Sequence, residues 1–140
     1  MVATVPRRLA ASHPVHALLL GGTLALFLGA LLSDIAYARS YEIQWNNFAS
    51  WLIVGGLVVG AAALASALPV VLPASRTRAA VVHTLALLAA WIAGFFNALM
   101  HARDAWAGMP GGLVLSVIAF ALALLAAWFA TVTGRAGGVP

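Results

Sequence analysis

The sequence predicts an all-α fold, a four-transmembrane-helix up-down-up-down bundle forming one domain over residues 1–140. Three observations lead there. The chain is 64% hydrophobic and 7% charged, with a mean hydropathy of +1.06. Its apolar residues fall in four long runs, and no segment between them is long enough to be a domain. Seven arginines, no lysine and only Asp34, Glu42 and Asp104 as acids leave too little polar surface to cover a soluble core, so most of the apolar surface must face lipid.

The four runs are 17–36, 47–72, 79–100 and 112–133, each near the ~20 residues a helix needs to cross the hydrocarbon layer. Unpaired backbone groups are expensive in lipid, so each run must be helical. The first opens after Pro14, placed near the first turn where its missing N–H is harmless, with Ser12 as a cap. Arg7, Arg8 and the tripeptide Ala36-Tyr37-Ala38 imitate a cleaved signal peptide, but the run between them exceeds the ~7–15 residues of such a segment and is read as a retained span. The second run carries Gly55, Gly56, Gly60 and Ala61-Ala62-Ala63, small residues that let helices approach. In the third, Asn97 is the polar residue set furthest in and should seek an interhelical hydrogen bond. The fourth follows the breakers Pro110 and Gly111. Short connections make sequence neighbours antiparallel neighbours, which puts the first and third helices on a diagonal with the central volume between them.

Arg7, Arg8, Arg76, Arg78 and Arg135 fall on the side of the termini, against Arg39 and Arg103 on the other. By the positive-inside rule both termini are cytoplasmic. Tyr37, Tyr41, Trp45, Trp51 and Trp106 form an aromatic belt on the outer side. The arginines flank apolar runs, so the net charge of +4 points to a bilayer and not to nucleic acid. Without cysteine there is no thiolate site, so any metal must be held by His, carboxylate or backbone oxygen.

His13, His16 and His83 share the cytoplasmic side, and this clustering is the most informative feature of the chain. His16 to Asp34 and His83 to His101 are both eighteen residues, five helical turns, so the two helices match in depth and face. Two histidines facing across a diagonal are what a non-covalent b-type haem requires, with His16 and His83 as axial ligands. On that reading the small second-helix segment from Gly60 to Ala67 admits the porphyrin edge, Arg7, Arg8, Arg76 and Arg78 meet the propionates, and His13 bonds a propionate or replaces His16. The rival site is a zinc or copper ion on His13, His16 and His83 with water in the open position. The bland reading gives all three histidines interfacial roles in a non-catalytic scaffold or accessory subunit.

Asp34, Asn97, His101 and Arg103, with Asp104, gather at the outer ends of the first and third helices. An Asp34–His101 pair would lock those ends together; a solvated interface is the simpler expectation. No mid-membrane carboxylate suggests a proton relay, and no span is visibly broken as in a transporter.

The combination of His13-Pro14-Val15-His16 opening the first span, Asp34 closing it, His83 opening the third, Arg103 closing it, and Trp128 followed by Gly134-Arg135-Ala136-Gly137-Gly138-Val139 resembles the bacterial membrane family catalogued as domain of unknown function 2231. The resemblance covers nearly the whole chain and implies a four-helix inner-membrane protein with His13, His16 and His83 as candidate site residues. Some relatives are joined to Rieske-type iron–sulfur domains, which implies electron transfer with a redox partner protein; a homo-oligomer is the other partner expected. The chain departs from the pattern at Ala65-Ser66-Ala67, where relatives often carry an acid, and at Phe129-Ala130, where they carry glycines. The first departure weakens any role needing that carboxylate.

Overall fold

The computed structural model describes residues 14–72 and 76–136, with the side chains of 70 and 133–136 left out of the description. Ser12, His13, Arg7 and Arg8 lie outside these residues. The elements are α1 (Pro14–Ser40), α2 (Ile43–Val71), α3 (Arg78–His101), the single turn α4 (Ala105–Gly108) and α5 (Gly111–Ala136). The helices α1, α2, α3 and α5 are long and apolar enough to cross a membrane.

Each long helix starts before the apolar run that predicted it, and α1, α3 and α5 also end beyond it, with side chains and caps extending helical hydrogen bonding at several of these ends. Pro14 is the first residue of α1, as its lost N–H allows. At the other end the Ser40 hydroxyl donates to Ala36 O (2.8 Å). Thr77 caps α3, its hydroxyl accepting from the Ala80 N–H at 3.2 Å.

Only Tyr41 and Glu42 join α1 to α2. Tyr41 has φ 57° and donates its N–H to Tyr37 O (2.8 Å), a left-handed helix end normally built with glycine. Its ring explains the choice, since it stacks on Trp106 of α4 (centroids 5.3 Å apart, 13° between planes) and so ties the first connection to the third. Tyr41→Gly loses the stack but relieves the left-handed conformation, whereas Tyr41→Ala loses the stack alone. Alanine should therefore be less stable than glycine by about 1 kcal/mol in detergent unfolding.

The four spans form a ring in which α1 packs on α2 and α5, and α3 on α2 and α5. The expected diagonal of α1 and α3 is present, but the space between them is closed. Phe27 of α1 lies at its centre, 1% exposed, against Ala90, Ala93, Ala119 and Ala123. A Cβ on Gly56 would come within 2.6 Å of the ring and one on Gly94 within 2.8 Å, so both positions must be glycine for the ring to fit. The small segment of α2 is also filled: Ala63 packs with Leu20, Ala86, Leu87 and Ala126, and Gly60 faces Thr23 and Trp91. Its small residues bring helix backbones together and leave no slot for a porphyrin edge. The Thr23 and Ser33 hydroxyls bond carbonyls of their own helix, Leu19 O (2.8 Å) and Gly29 O (2.9 Å), which satisfies them inside the bundle.

The aromatic belt is present in part. Trp45, Trp51, Trp106 and Tyr41 are exposed, but Tyr37 turns inward and is buried. Trp91 is tied to α2 by its indole N–H, which donates to Leu57 O (2.9 Å).

Candidate functional site

Two buried side-chain pairs join α1 to α3, one at each end of the bundle. Both pairs span 67 residues, because α1 and α3 run parallel in register and each separates its two members by eighteen residues.

At the first end His16 is the third residue of α1 and His83 the sixth of α3, each 2% exposed. Their Nε2 atoms are 3.1 Å apart with the rings nearly perpendicular, at 75°. Hydrogen-bond accounting fixes one of the two tautomers and leaves two arrangements for the other. His83 Nδ1 is 2.8 Å from Ala126 O; a carbonyl only accepts, so this nitrogen carries hydrogen and donates. His16 Nδ1 is 2.7 Å from Ser66 Oγ, which is also 2.7 Å from Ala63 O. The Ser66 hydroxyl rotates, so its hydrogen goes either to Ala63 O, with His16 Nδ1–H donating to Ser66, or to a bare His16 Nδ1. In the first arrangement both Nδ1 atoms donate, and two neutral rings set bare Nε2 lone pairs against each other at 3.1 Å in a buried site. Two buried acceptors facing each other are strongly unfavourable, so that arrangement calls for a cation at the Nε2 atoms, either a proton or a metal ion, whereas in the other arrangement His16 Nε2–H donates to His83 Nε2.

A haem does not fit this arrangement. Axial imidazoles on opposite sides of an iron stand with their nitrogens roughly 4 Å apart, at ~2.0 Å from the metal each, with a planar macrocycle between them. Here the nitrogens touch, and Leu20, Ala63, Leu87 and Ala126 are buried in the core beside them. Arg76 and Arg78, assigned to propionates from sequence, are exposed and line a concavity with Val81 and Val82 instead. Two cis ligands of a small ion fit better: 3.1 Å between nitrogens at ~2.0–2.1 Å from a metal corresponds to an angle of about 100°. Metal-bound histidines characteristically donate their other N–H to oxygen, and both Nδ1 atoms here lie against an oxygen. Among the described residues no third His, Asp or Glu joins them. His13, the third ligand expected from sequence, lies outside those residues.

At the other end Asp34 is fully buried, with Oδ1 2.8 Å from His101 Nε2 and Oδ2 accepting from the Ser116 hydroxyl at 2.5 Å. Asn97 Nδ2 donates to Ser116 Oγ (2.7 Å), which obliges the serine hydrogen to point at Asp34. His101 Nδ1 donates to Asn97 O (3.0 Å), so one proton is shared between His101 Nε2 and the carboxylate. Asn97 Oδ1 is a buried acceptor with no partner among the described residues. The solvated interface expected for this cluster gives way to a sealed network of α1, α3 and α5. Arg103 and Asp104 take no part in it: both are exposed, and Arg103 reaches only the Met100 sulfur (3.9 Å). The order is also wrong for nucleophilic catalysis, since Ser116 bonds the carboxylate and not the imidazole.

The sequence alone does not place Ser116 in a site, and it marks Ser66 only as the loss of an acid. Each has a sequence signal, a single hydroxyl within a long apolar stretch of its span, but that signal does not say which partner it meets.

Four long apolar helices with ionisable pairs buried at both ends of their common axis define a multi-pass α-helical membrane protein. The chain belongs to the DUF2231 family, described as a predicted membrane protein, whose family model matches residues 12–138. No curated protein and no solved structure matches it.

Proposed function

We propose that this protein is a metal-holding membrane subunit that binds one zinc or copper ion at the Nε2 atoms of His16 and His83. The observation that carries this reading is the pair of Nε2 atoms 3.1 Å apart, with each ring's Nδ1 held against an oxygen, the arrangement in which two lone pairs converge on an ion. Neutral imidazole nitrogens without thiolate suit zinc and copper. Water supplies the open positions, with His13, three residues earlier in the chain, as the further nitrogen. The arginine distribution supports a cytoplasmic placement of this end in a bacterial inner membrane. Copper would make the site redox-active and imply a redox partner; zinc would make it a structural or Lewis-acid centre.

A shared proton fits the same gap, and one titration separates the two. Chelator-treated protein titrated with Zn²⁺ or Cu²⁺ should take up one ion per chain, as should Asp34→Asn, whereas His16→Ala and His83→Ala should take up none. Absence of stoichiometric uptake by the unsubstituted protein overturns the metal. A Soret band in protein grown with added haem would overturn the geometry from which both readings start.

Ser66→Ala removes the acceptor that orients His16 without touching the ion. It should weaken metal binding about 10–100-fold in the same titration, and Ser66→Thr, which restores a hydroxyl, should recover most of the loss.

A further inference from the structure

Arg76 and Arg78 are not used by either buried pair. Both are exposed and neither forms an ion pair among the described residues. With Val81 and Val82 they line an open concavity of about 570 Å³ where α3 begins. Arg78, Val81 and Val82 are i, i+3 and i+4 on one helix face, and the same face continues through the exposed Leu85, Ile92 and Phe96. Two unpaired guanidinium groups thus stand at the head of an apolar stripe that faces lipid.

We propose that this concavity is a binding site for an anionic phospholipid, its phosphate held by Arg76 and Arg78 and an acyl chain lying along the Val82–Phe96 face of α3. Charge complementarity selects the headgroup: guanidinium matches phosphate oxygens with paired N–H donors and keeps its charge at any pH the cell meets. Length supports the chain, since the fourteen helical steps from Val82 to Phe96 cover about 21 Å, enough for one leaflet of a hydrocarbon layer ~30 Å thick. The valines make the site specific for a lipid, because a free phosphate ion gains nothing from an apolar floor.

The test is native mass spectrometry of the full chain in detergent, titrated with phosphatidylglycerol, with phosphatidylcholine of the same chains, or with inorganic phosphate. Phosphatidylglycerol should bind the unsubstituted protein about 30-fold more tightly than the Arg76→Gln/Arg78→Gln double variant, two arginines each contributing the usual share of anionic-lipid affinity. Phosphatidylcholine should bind weakly and equally to both. Arg103→Gln, at the opposite end, should leave phosphatidylglycerol binding unchanged, which also controls for a general loss of charge. Equal phosphatidylglycerol binding by the protein and the double variant overturns the site. Displacement of the lipid by millimolar inorganic phosphate overturns the lipid assignment in favour of a plain phosphate site.

Discussion

Phe27→Ala should destabilise the folded bundle by about 3–5 kcal/mol, the range for deleting a fully buried aromatic side chain. The ring is 1% exposed, at the centre of four helices, and lipid chains do not reach the hole it would leave. Its seat consists of two glycines on two different helices, Gly56 of α2 and Gly94 of α3, at 2.6 and 2.8 Å from where a Cβ would meet the ring. Gly56→Ala alone should therefore also destabilise, by about 1–3 kcal/mol through overpacking. The two defects are complementary: one removes volume and the other adds it at the same place. The double variant Phe27→Ala/Gly56→Ala should be more stable than the sum of the singles requires, by at least about 1 kcal/mol. Reversible unfolding in mixed detergent measures all three. Additive effects would mean that Phe27 and Gly56 are not in contact.

The second large effect is expected at Asp34. Asp34→Leu leaves His101 Nε2 and the Ser116 hydroxyl facing an apolar group inside the bundle, and breaking a buried pair by removing one partner costs about 3–5 kcal/mol. Asp34→Asn is predicted to be mild, within about 1 kcal/mol, for a reason specific to this network. The introduced amide oxygen can accept from Ser116 while its NH₂ donates to His101 Nε2, with the His101 Nδ1–H still on Asn97 O. Every bond survives and only the mobile proton is lost. Removing both partners in Asp34→Leu/His101→Leu should recover much of the single-variant loss, because Ser116 can turn its hydroxyl to a carbonyl of its own helix. A similar cost for leucine and asparagine would show that the carboxylate charge itself, and not the hydrogen-bond pattern, holds this end together.

Helix number, order and antiparallel packing were legible because lipid imposes one solution on long apolar runs. The equal spacing of His16 to Asp34 and His83 to His101 also conveyed that the residues match in depth, since a helix converts sequence distance into height at a constant rate. Sequence spacing could not convey how closely the diagonal helices approach. That separation depends on where Gly56, Gly60 and Gly94 face, and helical periodicity does not report which neighbour a small residue meets. Sequence spacing admits a haem because it leaves the α1–α3 separation open; Phe27 and the alanines of α2, α3 and α5 close it. The same blind spot hid Ser66 and Ser116. Their hydroxyls decide which nitrogen or oxygen carries each proton, but they come from α2 and α5 and become visible only when all four helices are in place.

The protonation of the His16–His83 pair is measured most directly by ¹⁵N solid-state NMR of histidine-labelled protein in lipid, with His13→Ala and His101→Gln variants to assign the signals. Both Nδ1 atoms should be protonated. In metal-loaded protein neither Nε2 should carry hydrogen, and in the metal-free protein the two should share one. A neutral ring with hydrogen on Nε2 and a bare Nδ1, at either residue, would contradict the cation site, for the two histidines would then be an ordinary donor–acceptor pair with nothing held between them.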